Sequence, residues 1–331
     1  MARAWKGRPK EFRQLWEYSI GFYGVWVAHV GRQAGLMQII ARSPASAAGL
    51  AQRSGLDARA VEAWCSAAVA LSLARERSGK LYMTARMKEI LLDAKSTNYL
   101  GGQFSYLAMR SLEYGGLEDL FRSGRIREMP NSFDAIEQAT DWDHNAFLSA
   151  IKKGRNRRLH AMLSKGCRVL DVGCGTGTFI EKLSRLYPNS LFVGVEPSEV
   201  AVHKAMNMAA GKPVEILRQR GEALTFDKEF DMVYLGESLY AASDKQAVMS
   251  NCYLALKPGG ALAIVEGLIP KVATKEGRLI MGMQLDFALQ GHRFMTKKET
   301  AALLRNAGFT KIAFRDFGGS LFLISAWKGY S

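Results

Sequence analysis

No stretch of this 331-residue chain is apolar over the roughly 20 residues that a membrane-spanning helix needs; runs such as Ala67 to Ala74 and Ala261 to Val265 fall far short. A secretory signal is missing too. The opening Met-Ala-Arg-Ala-Trp-Lys-Gly-Arg-Pro-Lys is basic but has no apolar core and no small-residue cleavage site, so the chain is expected to stay in the cytoplasm. Cysteine is scarce: Cys65, Cys167, Cys174 and Cys252 form no C-x-x-C pair and no Cys/His cluster with metal-ligand spacing, which argues against a zinc site and a disulfide framework and for reduced thiols. Internal repeats and low-complexity tracts are also absent. What is present is a core-forming composition, 48% hydrophobic and 23% charged, which excludes global disorder. The net charge of +14 points to anionic partners: a charged cofactor, an acidic metabolite or nucleic acid.

Most of the positive excess lies after residue 150, where the pattern also changes. The first half is rich in Ala, Leu and Met at helical spacing, whereas the second alternates β-branched runs with helical stretches and Gly-containing turns, as a βαβ array does. The basic run Lys152, Lys153, Arg155, Arg157, Arg158, Lys165 and Arg168 contains no acid and reads as a solvated helix face leading into the first strand of that array. In the first half, Ala47 to Ser54, Gly55 and the N-capping Asp57 outline helix, turn and helix, with Val61, Trp64, Cys65, Ala68 and Leu71 on one apolar face. Leu73 to Thr84 then reads as two short strands around a Gly turn, completing a winged helix. A DNA-reading helix should carry basic and amide side chains, yet between Asp57 and Ser72 only Arg59 is basic and no Asn or Gln occurs. The apolar helices at Phe12 to Ile40 and Tyr99 to Leu120 instead suit packing against a second subunit and covering a pocket.

Cys167 to Ile180 is a strand, a Gly-rich turn and a helix start. Gly173, Gly175 and Gly177 leave the backbone open to a ligand, and the free amides at the helix start favour negative charge. A second strand, Leu191 to Val195, ends in Glu196, placed to accept hydrogen bonds from a ribose diol. The dinucleotide fingerprint G-x-G-x-x-G is not met, because Thr178 stands at the third Gly, which weakens a nicotinamide reading.

Val-Leu-Asp-Val-Gly-Cys-Gly-Thr-Gly at 169–177 resembles the first motif of Rossmann-like S-adenosylmethionine-dependent methyltransferases. Phe192 to Ser198 resembles that family's second strand with its ribose-holding acid; Gly221-Glu222-Ala223 resembles the loop against adenine, where the family more often has Asp. Phe230 to Glu237 matches the fourth strand, Leu256 to Leu262 the turn before the fifth, and Ala307-Gly308-Phe309 with the strands near Lys311 to Arg315 and Leu321 to Ala326 the terminal antiparallel hairpin. The match runs over 160–328 and implies an α/β Rossmann-like methyltransferase sheet with an antiparallel last strand, binding S-adenosylmethionine through Asp171, Gly173, Gly175, Gly177, Glu196, Pro197, Gly221, Glu222, Ala223, Leu235 and Gly236. With the first half included, the chain is similar to small-molecule O-methyltransferases, which implies a homodimer. The expected division is a winged-helix dimerisation domain at 1–100, connecting helices over the acceptor pocket at 101–160, and the methyltransferase domain at 161–331, acting on a small molecule with no nucleic acid, membrane or metal partner.

In that family a His after the fourth strand is the general base. Here the resemblance puts Tyr240 at that place, keeps the orienting carboxylate as Glu266, and puts Phe294 where a second supporting Glu would stand. A phenol with a pKa near 10 is a poor base at neutral pH. The reading therefore leans toward an acceptor needing no deprotonation, a small carboxylated thioether held by proximity. In this respect the chain resembles the enzymes that S-methylate methylthio-hydroxybutyrate on the way to dimethylsulfoniopropionate. O-methylation of a phenolic or hydroxylated metabolite, and a DNA-binding regulator with a methyltransferase-like sensor, are the alternatives. Arg110, Tyr114, Asp286, His292 and Arg293 are the candidate acceptor contacts, an Arg there being suited to a carboxylate; His29, His144, His160 and His203 are read as structural.

Overall fold

The computed structural model describes residues 7–126, 132–152, 156–271, 274–275 and 277–330, with the backbone alone at 132–135. The first six residues of the basic N-terminus, and Lys153 and Arg155 of the basic run, lie outside them. Two compact units result: one from the described part of 1–112 with 138–142, the other from 113–137 with the rest from 143 onward. The stretch 101–160 is thus shared between them.

The first unit begins with α1 (Lys10–Gln33) and α2 (Leu36–Arg42), separated at Gly35, whose left-handed φ of 73° ends what the sequence suggests as one long helix. Next come α3 (Ala47–Ser54), capped by Ser46, and α4 (Ala58–Ala70), capped by Asp57, whose carboxylate accepts from the Ala60 amide. The expected face of α4 is buried at Val61, Trp64, Cys65 and Ala68, and the Trp64 indole donates to the Val27 carbonyl at 2.9 Å. A two-stranded hairpin, β1 (Arg75–Arg77) and β2 (Lys80–Tyr82), precedes α5 (Ala85–Leu92) and α6 (Gly101–Ser111). The Arg32 guanidinium donates to Tyr99, Gly101 and Ser105, tying α1 to the start of α6.

α7 (Leu117–Ser123), α8 (Ser132–Lys152) and α9 (Arg157–Lys165) lead into alternating strands and helices: β3 (Arg168–Val172), α10 (Thr178–Leu186), β4 (Leu191–Glu196), α11 (Glu199–Ala209), β5 (Val214–Arg218), β6 (Phe230–Gly236), α12 (Lys245–Ala255) and β7 (Leu256–Ile269). Then follow α13 (Arg278–Leu289), β8 (Met295–Thr296), α14 (Lys297–Asn306), β9 (Thr310–Gly318) and β10 (Leu321–Trp327). The sheet order is β5-β4-β3-β6-β7-β10-β9. All neighbours run parallel except β10, which pairs antiparallel with both β7 and β9. β3, β4, β6 and β7 are near-continuous apolar runs because both faces of a central strand are covered. β8, unmarked by any periodicity in the sequence, adds to the far end of β7. Lys-Pro-Gly-Gly at 257–260 is absorbed into β7 as a register shift between Leu256 and Ala261.

Candidate active site

Ligands of open α/β sheets gather at the carboxyl ends of the parallel strands, and the acids and glycines singled out in the sequence lie there. Gly173, Gly175 and Gly177 have φ of 79°, 56° and 82°, a left-handed path that glycine takes without strain. Two of the three are hemmed in: a Cβ on Gly173 would stand 2.6 Å from the Ser238 Cβ, and one on Gly177 3.1 Å from the Ala205 Cβ. A Cβ on Gly175 would meet nothing within 4 Å, so the loop turns one open face outward there. The Val195 carbonyl accepts from both the Gly173 and Cys174 amides, at 2.8 and 3.1 Å, locking the loop to the end of β4.

Glu196 joins this loop. Its Oε2 accepts from the Gly175 amide at 3.1 Å and its Oε1 from the Ser198 amide at 2.9 Å. Burial raises its pKa against these two bonds. An ionised carboxylate has about four acceptor sites, so two remain after the amides. Asp171 is almost wholly buried one strand away; burial, then the nearby Glu196, push its carboxyl up to about 8. The open face at Gly175 beside an acid with acceptor capacity left over fits an adenosyl group. Pro197 follows Glu196, and Leu235 and Gly236 end β6 at the same carboxyl end of the sheet. Gly221, Glu222 and Ala223 form a single 3₁₀ turn, but the Glu222 carboxylate is used internally: it accepts from the Ser243 amide at 2.9 Å and hydroxyl at 2.8 Å. Burial pushes its pKa up, yet bonding to its own backbone amide, then to Ser243, holds it below the ordinary value.

A second set of acids, one of them missed by the sequence reading, sits at the ends of β6 and β7. The Glu266 Oε1 accepts from the Tyr240 amide at 2.8 Å, and the Glu237 Oε1 accepts from the Gly267 amide at 2.8 Å, so β7 and the segment after β6 are tied together by two carboxylate bonds. Burial pushes Glu237 up to about 7; burial, then Glu237, raise Glu266 well above the carboxylate range. The second oxygen of Glu266 and the hydroxyl of Tyr234, both buried, have no hydrogen-bond partner among the described residues. Tyr234 lies close enough to Asp171, Asp143, Glu237 and Glu266 for their charge, after burial, to raise its pKa. An acid directly after the Gly that ends β6 was the available sequence signal for Glu237.

The Tyr240 ring is buried edge to face against Phe287, with centroids 4.4 Å apart, and against Phe294 at 5.6 Å. His292 meets the same ring at 5.9 Å. Of the proposed acceptor contacts, the structure thus brings His292 to Tyr240, with Asp286 buried beside Phe287 on α13. It turns Arg293 away: the guanidinium is exposed and pairs with Glu299 at 2.8 Å, inside the capping box of α14. Tyr114 is half-buried in a 3₁₀ turn, and Arg110 is buried in the last turn of α6, in the other unit. His144, read as structural, is buried with its ring stacked on Phe179 at 4.3 Å; burial, then Lys182, lower its pKa to about 3. Among the described residues no group of His, Cys, Asp and Glu could hold a metal, and no helix is long and apolar enough to cross a membrane.

Residues 169–260 match the methyltransferase domain family. Acetylserotonin O-methyltransferase of Mus musculus is 26% identical over 97% of this chain and 90% of the relative. A ubiquinone biosynthesis O-methyltransferase of Xanthomonas axonopodis pv. citri (strain 306) is 30% identical over 53% of this chain and 75% of the relative. The crystal structure of human N-acetylserotonin methyltransferase in complex with S-adenosylmethionine superposes with a TM-score of 0.74 at 21% identity, covering 98% of this chain and 99% of the other, which establishes the fold. With that fold, that family match and those relatives, the chain belongs to the S-adenosylmethionine-dependent methyltransferases, in their O-methyltransferase family.

Proposed function

We propose that this methyltransferase methylates a hydroxyl group of a small-molecule acceptor, with the cofactor seated on the Gly173–Gly177 loop. The single observation carrying the seat is the open face at Gly175 beside Glu196. Glu196 would hold the ribose, Gly175 would let the ligand reach the backbone, and Leu235, Gly236 and the Gly221 turn would line the adenine side. Bound there, S-adenosylmethionine supplies an electrophilic methyl on a sulfonium. Among the described residues, the Tyr234 hydroxyl and the second Glu266 oxygen are the buried polar atoms left there for a ligand to hydrogen-bond. Titration calorimetry with S-adenosylhomocysteine tests the seat. Micromolar binding, lost in Gly175→Arg, is the expected result; no binding to the wild type, or tight NADH binding, defeats it.

A second reading, S-methylation of a carboxylated thioether such as methylthio-hydroxybutyrate, is favoured by one observation: the ring at position 240 is a phenol packed among Phe287 and Phe294, not an imidazole. Against it stands Arg293, whose guanidinium is spent on Glu299 rather than offered to a carboxylate. A screen of phenols, thiols, thioethers and amines with mass detection of the methylated product separates the two. Phenol turnover that climbs with pH supports a hydroxyl acceptor, whereas thioether turnover flat between about pH 6 and 9 supports sulfur.

We read the first unit as a winged-helix dimerisation domain with no nucleic-acid partner. The apolar side chains exposed along α1, Leu15, Trp16, Phe22 and Tyr23, support that use. A sequence-specific gel shift of duplex DNA at physiological salt would overturn it.

A further inference from the structure

Hydroxyl methylation leaves one role unfilled, since Tyr240 stands where an imidazole base would be expected. His292 approaches that tyrosine from a different element. α13 ends at Leu289, Gly291 turns the chain with a φ of 78°, and the His292 amide donates to the Phe287 carbonyl at 2.8 Å. Gln284 grips the segment from both sides, its Nε2 donating to the His292 carbonyl at 3.3 Å and its Oε1 accepting from the Phe294 amide at 2.8 Å. So the backbone carrying the imidazole is anchored at three points. The ring itself is half-buried against Tyr240, and among the described residues its nitrogens make no hydrogen bond. A backbone this firmly fixed, carrying a ring with both nitrogens unspent, is the arrangement a proton acceptor needs.

The charges facing the ring favour the same use. Lys245 of α12 is the nearby cation; its ammonium donates to the Ala242 carbonyl and lies near Glu266 of β7. Arg293, next in the chain, is directed to Glu299. Burial, then Lys245, hold the His292 pKa below the ordinary histidine value. At neutral pH the imidazole is therefore unprotonated and able to take a proton.

We propose that His292 is the general base of this enzyme, doing from the turn after α13 the work for which position 240 carries no imidazole. This rests on the hydroxyl-acceptor reading above. The imidazole takes the acceptor's hydroxyl proton while that oxygen bonds to the methyl carbon; the carbon–sulfur bond breaks with its electron pair left on sulfur, and the imidazolium later gives its proton to water. Tyr240 then serves as the wall against which the base is set.

His292→Ala is expected to bind S-adenosylhomocysteine within about twofold of the wild type, yet to lose at least about 100-fold in kcat with the best phenolic acceptor of the screen. Added imidazole should restore several-fold of that loss, and the wild-type kcat/KM should fall below an apparent pKa under about 6.5. In the S-adenosylhomocysteine complex, the His292 Cε1–H resonance, assigned by its loss in His292→Ala, should titrate below about 6.5. His292→Ala within threefold of wild-type kcat, turnover of thioethers alone, or a His292 midpoint at or above the ordinary value would each overturn the assignment. Failure of the wild type to bind S-adenosylhomocysteine would instead strike the methyl-transfer reading itself.

Discussion

Two neighbouring glycines separate folding from binding. Gly173→Ala puts a methyl 2.6 Å from the Ser238 Cβ at a φ of 79°, whereas Gly175→Ala meets nothing within 4 Å at a φ of 56°. A left-handed alanine costs about 1–2 kcal/mol in either place, and only Gly173 adds a clash with a residue held by its own bond to the Val172 carbonyl. Thermal unfolding should therefore show the larger drop for Gly173→Ala. Calorimetry should show Gly175→Ala folded but at least about tenfold weaker for S-adenosylhomocysteine, since its methyl fills the open face. Asp171 makes a pH prediction. Its carboxyl titrates near 8 in the folded chain and near about 3.9 unfolded. The folded state thus holds a proton that unfolding releases, so its stabilising contribution is complete below about pH 4 and is lost as pH rises to about 8. The melting temperature of the ligand-free protein should fall over that range, and Asp171→Asn should flatten the slope; an unchanged slope would contradict the assignment.

Among the elements, α14 offers the plainest test. Thr296 and Glu299 form a reciprocal capping box, and bonding to Arg293, then to the Thr296 amide, lowers the Glu299 pKa to about 2. Thr296→Ala should cost about 1 kcal/mol in denaturant unfolding, without touching S-adenosylhomocysteine affinity. The Asp57 cap and the apolar runs of β3, β4, β6 and β7 are legible in the sequence because they are local: an Asp at the right step, or β-branched residues in succession. The order of glycines and acids along the chain made the cofactor loop legible as well. What is made by long-range contact was not. His292 reaches a tyrosine 52 positions earlier in the chain, and Glu237 bonds an amide 30 positions away. β8, two residues long, is too short to show a period at all. The break at Gly35 is not legible locally, since a lone Gly inside an apolar helical pattern is compatible with continuation.

For the molecule as a whole, α1 is the surface to test. Leu15, Tyr18, Phe22 and Tyr23 are each more than half exposed, which a solitary subunit would show to water. Sedimentation velocity should find a dimer for the wild type, and Trp16→Glu with Phe22→Glu should shift it to the monomer; an unchanged sedimentation coefficient would exclude α1 from the interface. The place of β10 has a different consequence. It lies between β7 and β9, so the edge of β7 stays open until residues 321–327 have been made. On the ribosome, every earlier strand can emerge while one apolar border of the nascent sheet still waits for its neighbour. Growing chains stalled before residue 321 should therefore depend on chaperones, and those released after 327 should not.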